Sequence, residues 1–399
     1  MRKTINIGDL GTIITGKTPP TTNKNYYGDY AVFIKPTDIS EHSKYTYETE
    51  EMYSKLAAEK YESSLIPKGA ICVPCIGTIG TKMTMTPCDC YTNQSINSII
   101  CNENYDNEYV YYLIKNFLPG LKAYNLGTAS GREYVSKSNF EKIELVAEQD
   151  KEIQKKIGII LSRYDSLIEN YQKQIKLLEE AAQRLYKKWF IDLHFPRHEN
   201  TNIIDGVPEG WEKKKVNSII ELQSGFAFKS STFDDNGAYK IVTIKNVKDG
   251  AFDGDNVSKI VAIPDKMPKH CILADGDILL SLTGNVGRVC IVNGKSYLLN
   301  QRVAKLATDY KAFTYCLFRS RDMFIEVNNL ANGAAQQNVS PIRIGEMKIL
   351  LPNSELLQEF ESIVFKSIAR IISLQSQLHL LTEARDRLLP KLMSGEITI

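Results

Sequence analysis

The chain is written twice, and that repeat constrains its fold more than any other feature. The stretch LIPKGAICVPCIGTIGTKM, beginning at Leu65, resembles ILADGDILLSLTGNVGRVC, beginning at Ile272. Three glycines stay in step: 69 maps to 276, 77 to 284 and 80 to 287, a constant offset of 207. The same offset carries Asn93-Gln94 onto Asn300-Gln301. With small drifts the match runs further. YAVFIKPTDI at Tyr30 meets YKIVTIKNV at Tyr239, NLGTASGREYVS at Asn125 meets NLANGAAQQNVS at Asn329, and LLEEAAQRLYKK at Leu177 meets LLTEARDRLLPK at Leu380. Self-similarity at a fixed period means that one structural unit has been built twice. Two divergent copies of about two hundred residues fill the 399-residue chain.

Each copy has a β-rich front and a helical back. The fronts alternate short apolar runs with Gly, Pro and Asn turns, as in GAICVPCI, INSIICNE, GDILLSLTG and GRVCIVNG, the pattern of short strands. Helical stretches interrupt them at Asp106–Leu118 and in KAFTYCLFRSRDMFIEVNN from Lys311. The fold class expected is mixed α/β, with two tandem β-rich domains, each followed by a long helix.

The first helical back, from about Gln149 to Trp189, has no proline and a single glycine, Gly158. Apolar residues recur at Ile153, Ile157, Ile160, Tyr164, Leu167, Tyr171, Ile175, Leu178, Ala182, Leu185 and Trp189. Their steps alternate four and three, a heptad seam with one phase slip at Ile175. The second runs from about Ser354 to Leu389 through Phe360, Val364, Ile371, Leu374, Leu378, Leu381 and Leu388, with Pro390 and Gly395 marking its end. At 1.5 Å per residue, ~40 residues make a rod of roughly 60 Å. A single apolar seam on a solvated rod is unstable alone, so the two helices are expected to bury each other as an antiparallel coiled coil related by a pseudo-two-fold. The alternative is that each packs on its own front domain.

Several tempting motifs weaken once the repeat is considered. GTIITGKT, residues 11 to 18, fits the phosphate-binding pattern G-x-x-x-x-G-K-[ST]. Such a loop needs a buried strand before it and a helix after it. Here Pro19-Pro20 and a polar run come next, the motif interior reads as strand, and copy two has ELQSGFAFKS instead. Cys72, Cys75, Cys88 and Cys90 suggest a zinc site. Yet Cys72 and Cys75 align with Leu279 and Leu282, and Cys90 with Tyr297, so the thiols read as small buried hydrophobes. His194 and His198 lack a supporting Cys or carboxylate pattern, so no metal is expected. Dinucleotide, zinc-protease and esterase motifs are absent from the sequence, and no acidic position recurs in both copies at a strand end. No catalytic residue is therefore expected. Net charge is only +2, which neither favours nor excludes nucleic acid, since basic surface can be local. The N-terminus has no apolar signal region, which suggests a cytoplasmic protein.

What the copies share is glycine loops and amide-rich turns. IGTIGTK and LTGNVGR each set two glycines three apart and place a base after them, Lys82 or Arg288. Such loops either form a tight hairpin or bring the base to a phosphate or base edge. NQS and NQR offer amides that either pin a turn or read adenine edges. Arg132 and Glu133 in copy one stand against Gln336 and Gln337 in copy two. One scaffold with different polar tips is what two readers of two different sequences would need. The candidate DNA contacts are Lys17, Lys35, Thr78, Thr81, Lys82, Asn93, Gln94, Ser130 and Arg132 in copy one. In copy two they are Lys229, Lys245, Asn246, Thr283, Asn285, Arg288, Gln301, Arg302, Gln336 and Gln337.

The order of these marks, repeated twice, resembles the specificity subunit of type I restriction-modification systems. The local marks are the TGKTP and SGFAF openings, the GTIG and TGNVG loops with NQ downstream, and the YKKWFIDLHFP exit from the first helix. The resemblance implies that each front is a target recognition domain reading one half of a bipartite double-stranded DNA site. It implies that the helices set the spacing and dock two DNA adenine methyltransferase subunits. A separate translocase-nuclease subunit would complete the complex. S-adenosylmethionine, ATP and Mg would then belong to the partners, and this chain would be non-catalytic and carry no cofactor. The corresponding division is a first recognition domain at 1–147, a helix at 148–190, a linker at 191–211, a second domain at 212–352, a helix at 353–392 and a tail at 393–399. Two other classes compete: a duplicated adaptor that binds protein, and a single-chain restriction or modification enzyme with unrecognised motifs.

Overall fold

A computed structural model of the chain describes residues 2–77, 79–127, 133–255, 257–331 and 338–399. The candidate contacts Thr78, Ser130, Arg132, Gln336 and Gln337 lie outside the described residues. Two compact units emerge: Met1–Asn170 with Leu380–Ile399, and Tyr171–His379.

In the first unit, a four-stranded antiparallel sheet runs in the order Gly11–Thr15, Ile96–Cys101, Ile71–Pro74, Thr84–Met85. A second sheet has the order Tyr27–Gly28, Met52–Tyr53, Ala31–Ile34, Tyr91–Thr92, its last pair parallel. Arg2–Asn6 pairs antiparallel with Glu144–Glu148. The period of two along a strand sorts the core. Ile71, Val73 and Cys75 face a cluster with the helix Asn107–Phe117, while Cys72 faces another with Ile34, Ile66 and Cys90. Cys72 and Cys75 therefore serve different cores and cannot share an ion.

The second unit repeats the plan. Its antiparallel sheet runs Glu221–Ser224, Val303–Ala307, Ile278–Ser281, Val289–Ile291. The other runs Ser258–Ile260, Tyr239–Val242, Tyr297–Leu299, Ile272–Leu273, with Tyr239–Val242 and Tyr297–Leu299 parallel. Glu212–Lys215 pairs with Lys348–Leu351. Ile278, Leu280 and Leu282 face one cluster and Leu279 another, matching Ile71, Val73, Cys75 and Cys72 in turn. The helical stretch after Lys311 is two helices, Lys311–Arg319 and Arg321–Ala331, because Ser320 interrupts it and accepts a hydrogen bond from Met323 N at 3.3 Å.

The central helix spans Lys151–Tyr186 and ends in a π-turn at Lys187–Ile191. The C-terminal helix spans Ser354–Ser394 and passes through Pro390, which does not end it. The reason is packing beyond the proline. Leu389, Leu392 and Met393 are buried in the first unit's core, and Arg2 donates to the carbonyls of Met393 and Leu392 at 3.0 and 2.9 Å. These caps satisfy groups that a helix end leaves orphaned.

Within the first unit, Asp165 of the central helix meets Arg385 of the C-terminal helix at 2.5 Å, and Ile157 and Leu161 share a core with Leu389 and Leu392. Within the second, Tyr186 and Trp189 pack on Phe360 at ring distances of 6.3 and 5.7 Å. Early residues of one helix meet late residues of the other, and late meet early, as antiparallel pairing requires. Each helix also packs on the β-rich front of a unit. Tyr112 donates to Asp165 at 2.6 Å, and Glu361 accepts from Ala312 N and Phe313 N, capping the helix Lys311–Arg319. In the first unit Gln154 of the central helix accepts from Asp106 N, just before the helix Asn107–Phe117.

This double duty corrects the seam. Ile157, Phe360, Val364, Ile371 and Leu374 are buried as expected, and Tyr164, Tyr171, Leu178, Leu185, Leu378, Leu381 and Leu388 are half-buried. In the stretch that follows Ile157 the buried side chains are Leu161, Asp165 and Ile168, one position beyond the heptad phase, and Leu167 is exposed; further on, Ala182 and Trp189 are buried on the expected phase. A stripe covered on two sides is broader than a coiled-coil seam, so strict heptad spacing misplaces its centre.

Candidate nucleic-acid interface

In each unit, three segments converge beside the ends of the central strands, held by the same backbone hydrogen bonds. In the first, Cys75 N donates to Ser95 O at 2.7 Å and Val135 N to Cys75 O at 2.8 Å. In the second, Leu282 N donates to Arg302 O at 3.0 Å and Val339 N to Leu282 O at 2.9 Å. The glycine loop, the Asn-Gln turn and the Val-Ser segment thus form one rim, twice.

Glycine serves two purposes here. Gly77, Gly80, Gly284 and Gly287 have φ of 86°, 73°, 74° and 86°, a left-handed backbone that costs other residues energy. Gly16 and Gly225 sit against the Asn-Gln turns, and a Cβ on either would come within 2.1 Å of a carbonyl oxygen. That contact accounts for the glycine of the GTIITGKT match. Gly11–Thr15 is a strand, and no helix starts at Lys17; the next element is a 3-10 turn at Lys24–Tyr26. A Cβ at Gly77 would meet nothing within 4 Å. Gly77→Ala therefore isolates backbone strain and is expected to cost about 1–2 kcal/mol of stability, checked by chemical denaturation; an unchanged midpoint would refute the strained turn.

The candidate side chains divide by their partners. Lys17 and Thr81 are exposed and Lys82 is half-buried. Asn93 accepts from Ser95 N at 3.0 Å, which pins its turn, while exposed Gln94 accepts from the Thr18 hydroxyl. Lys35 is ion-paired with Glu50 and Glu51 at 2.7 and 3.2 Å. Burial lowers its pKa, but the two carboxylates outweigh that and raise it overall. In the second unit Lys229, Lys245, Asn285, Gln301 and Arg302 are exposed and Arg288 is half-buried. Thr283 is largely buried and donates to Asn338 Oδ1 at 2.9 Å. Asn246 is corrected. It is fully buried, accepts from Thr243 N and Oγ1 and donates to Asp253 O, so its amide builds a turn rather than facing a ligand.

In the second unit the rim encloses a surface cavity of about 400 Å³. It brings together the expected Thr283, Gln301 and Arg302 with Ser224, Asn338 and Ser340, which sequence reasoning misses. The signal for the last two is present in the shared Val-Ser of the NVS and YVS segments. Among the described residues the cavity's polar lining is hydroxyls, amides and one cation, which suits hydrogen bonding to a neutral or anionic partner.

A family model described as the type I restriction modification DNA specificity domain matches residues 2–180 and 208–380. The chain therefore belongs to the family of type I restriction-modification specificity subunits. It is 28% identical over 407 residues to the type I restriction enzyme MjaIX specificity subunit of Methanocaldococcus jannaschii, covering 98% of this chain and 93% of that one. It is 30% identical over 312 residues to the MjaVIII specificity subunit of the same organism, covering 75% and 72%. The crystal structure of the type I restriction-modification S subunit from M. genitalium superposes with a TM-score of 0.64 at 17% identity, covering 98% of this chain and 96% of that one, a likeness of fold. Among the described residues no helix is long and apolar enough to cross a membrane.

Proposed function

We propose that this chain is the sequence-specific DNA-recognition subunit of a cytoplasmic type I restriction-modification complex. Residues 1–147 and 212–352 each read one half of a bipartite double-stranded site. The helices set the spacer between halves and dock two adenine methyltransferase subunits. Methyl transfer with S-adenosylmethionine, and ATP-driven translocation and cleavage with Mg, reside in partner subunits, so this chain is non-catalytic and holds no cofactor.

The observation that carries this reading is the twice-built rim with different polar tips. Ser95 and Arg302 hang from the same backbone position, as do Cys75 and Leu282. A duplicated enzyme would repeat its reactive groups; a duplicated reader repeats its scaffold and varies its contacts. The test is a mild-salt pull-down of the tagged chain from its own cells, with mass spectrometry of the proteins that co-purify. Two adenine methyltransferase copies per chain are expected, with or without a large ATPase. A chain recovered alone, or methyl transfer by the isolated chain, would defeat the reading.

A further inference from the structure

Arg302 is set apart by its place rather than by its exposure. Lys305, three residues on, is paired with Asp277 at 3.0 Å, and of the basic candidates of the second unit Arg302 is the one that lines the cavity. Arg302 is exposed and has no carboxylate partner among the described residues. Its main chain is nevertheless fixed. Its carbonyl accepts from Leu282 N, and the next residue begins the buried strand Val303–Ala307. The side chain therefore has a rigid base and an open tip.

The surroundings select what that tip meets. Among the described residues, the cavity beside it offers Ser224, Thr283, Gln301, Asn338 and Ser340, all neutral hydrogen-bonding groups, and no second cation. A phosphate clamp gathers positive charge, whereas a base edge presents acceptors without a full charge and is met by one fork of donors among neutral groups. Guanidinium is planar and carries two parallel N–H donors, the geometry of guanine O6 and N7 in the major groove. In the first unit the same backbone position carries Ser95, whose hydroxyl is a less selective hydrogen-bonding partner.

We propose that Arg302 reads a guanine in the half-site contacted by the second recognition domain, donating both arms to O6 and N7. The proposal rests on the DNA-recognition reading above, and it makes position 302, with its counterpart 95, a specificity determinant. Ser95 removes this contact from the first domain, so the two halves differ in their demand for guanine at the equivalent place.

The experiment uses the whole chain assembled with its methyltransferase partners. The target is first read from methylated adenines in the host genome, and the half belonging to the second domain is the one that survives exchange of residues 1–147. Duplexes are then made with each guanine of that half replaced in turn by 7-deazaguanine, which lacks the N7 acceptor. One position should weaken binding roughly tenfold, within the range a bidentate base contact allows. Arg302→Ala should weaken binding to the unmodified duplex by roughly tenfold to a hundredfold and become indifferent to 7-deazaguanine at that position alone. A half-site without guanine, or a flat scan with the wild-type complex, overturns the proposal. So does an Arg302→Ala effect that is equal on every sequence and lowers the salt slope by about one, the mark of a phosphate contact. Failure of the assembled complex to bind any duplex would overturn the underlying reading instead.

Discussion

Exchanging residues 1–147 for the matching segment of another specificity subunit changes one half of the methylated sequence and leaves the other half intact. The expectation rests on how the cores are divided. The first unit's sheets pack among Ile7, Ile71, Ile99 and Tyr109, and the second unit's among Ile278, Leu280, Phe313 and Phe360, each in its own cluster. Every rim is closed by hydrogen bonds within its own unit. A donor segment must keep two anchors to survive the exchange: an equivalent of Arg2, which caps the carbonyls of Leu392 and Met393, and one of Tyr112, which donates to Asp165. Sequencing of methylated adenines in cells carrying the hybrid reads the outcome. A change in both halves would sink the modular division, and a change in neither would place recognition elsewhere.

Arg385→Ala should lower stability by about 3–5 kcal/mol, far more than a surface charge change. Side-chain exposure is 9% for Arg385 and 6% for Asp165, and the two meet at 2.5 Å. Burial alone would lower the arginine's pKa, but Asp165 and Asp386 outweigh it and hold the guanidinium protonated. Removing the arginine leaves a buried carboxylate with the Tyr112 hydroxyl as its hydrogen-bond donor and the Lys115 ammonium as the nearby positive charge. Replacing the group with apolar side chains, as Arg385→Met with Asp165→Leu and Tyr112→Phe, should recover most of the loss, because the burial of charge disappears with the pair. Chemical denaturation of the three proteins measures this. A single variant within about 1 kcal/mol of the parent, the range of exposed pairs, would show that the pair is solvated in solution.

Much of this architecture is legible in the sequence because the repeat acts as an internal control. Alignment of Cys72 with Leu279 and Cys75 with Leu282 identifies core positions, and each pair occupies equivalent clusters in the two units. The same comparison removes the phosphate-loop reading, and the close approach of Gly16 to Thr92 explains the chance match. What escapes is whatever depends on contacts from several directions. Heptad spacing treats the helix stripe as facing one partner, so it centres the stripe at Tyr164 and Leu167 rather than Asp165 and Ile168. Pro390 looks like a stop signal, yet the packing of Leu392 and Met393 carries the helix past it. Asn246 looks like a polar tip and is a turn-builder, a distinction set by Thr243 and Asp253 and invisible in composition. Side-chain partners also decide which basic groups are open, as Lys35 with its two glutamates and Arg302, without a carboxylate among the described residues, illustrate.

The backbone bonds that close each rim bear on how such a protein diversifies. Cys75, Ser95 and Val135, like Leu282, Arg302 and Val339, are tied through N–H and carbonyl groups that every residue but proline supplies. Apart from Asn338, which accepts from Thr283, and Ser340, which caps the helix Pro341–Gly345, the exposed side chains along the rim can therefore drift under mutation with little penalty to folding. A library randomised at Gln94, Ser95, Gln301 and Arg302 should yield mostly folded clones, and selection among them would act on sequence preference almost alone. Duplication followed by such drift is a short evolutionary route from one palindromic taste to two independent ones.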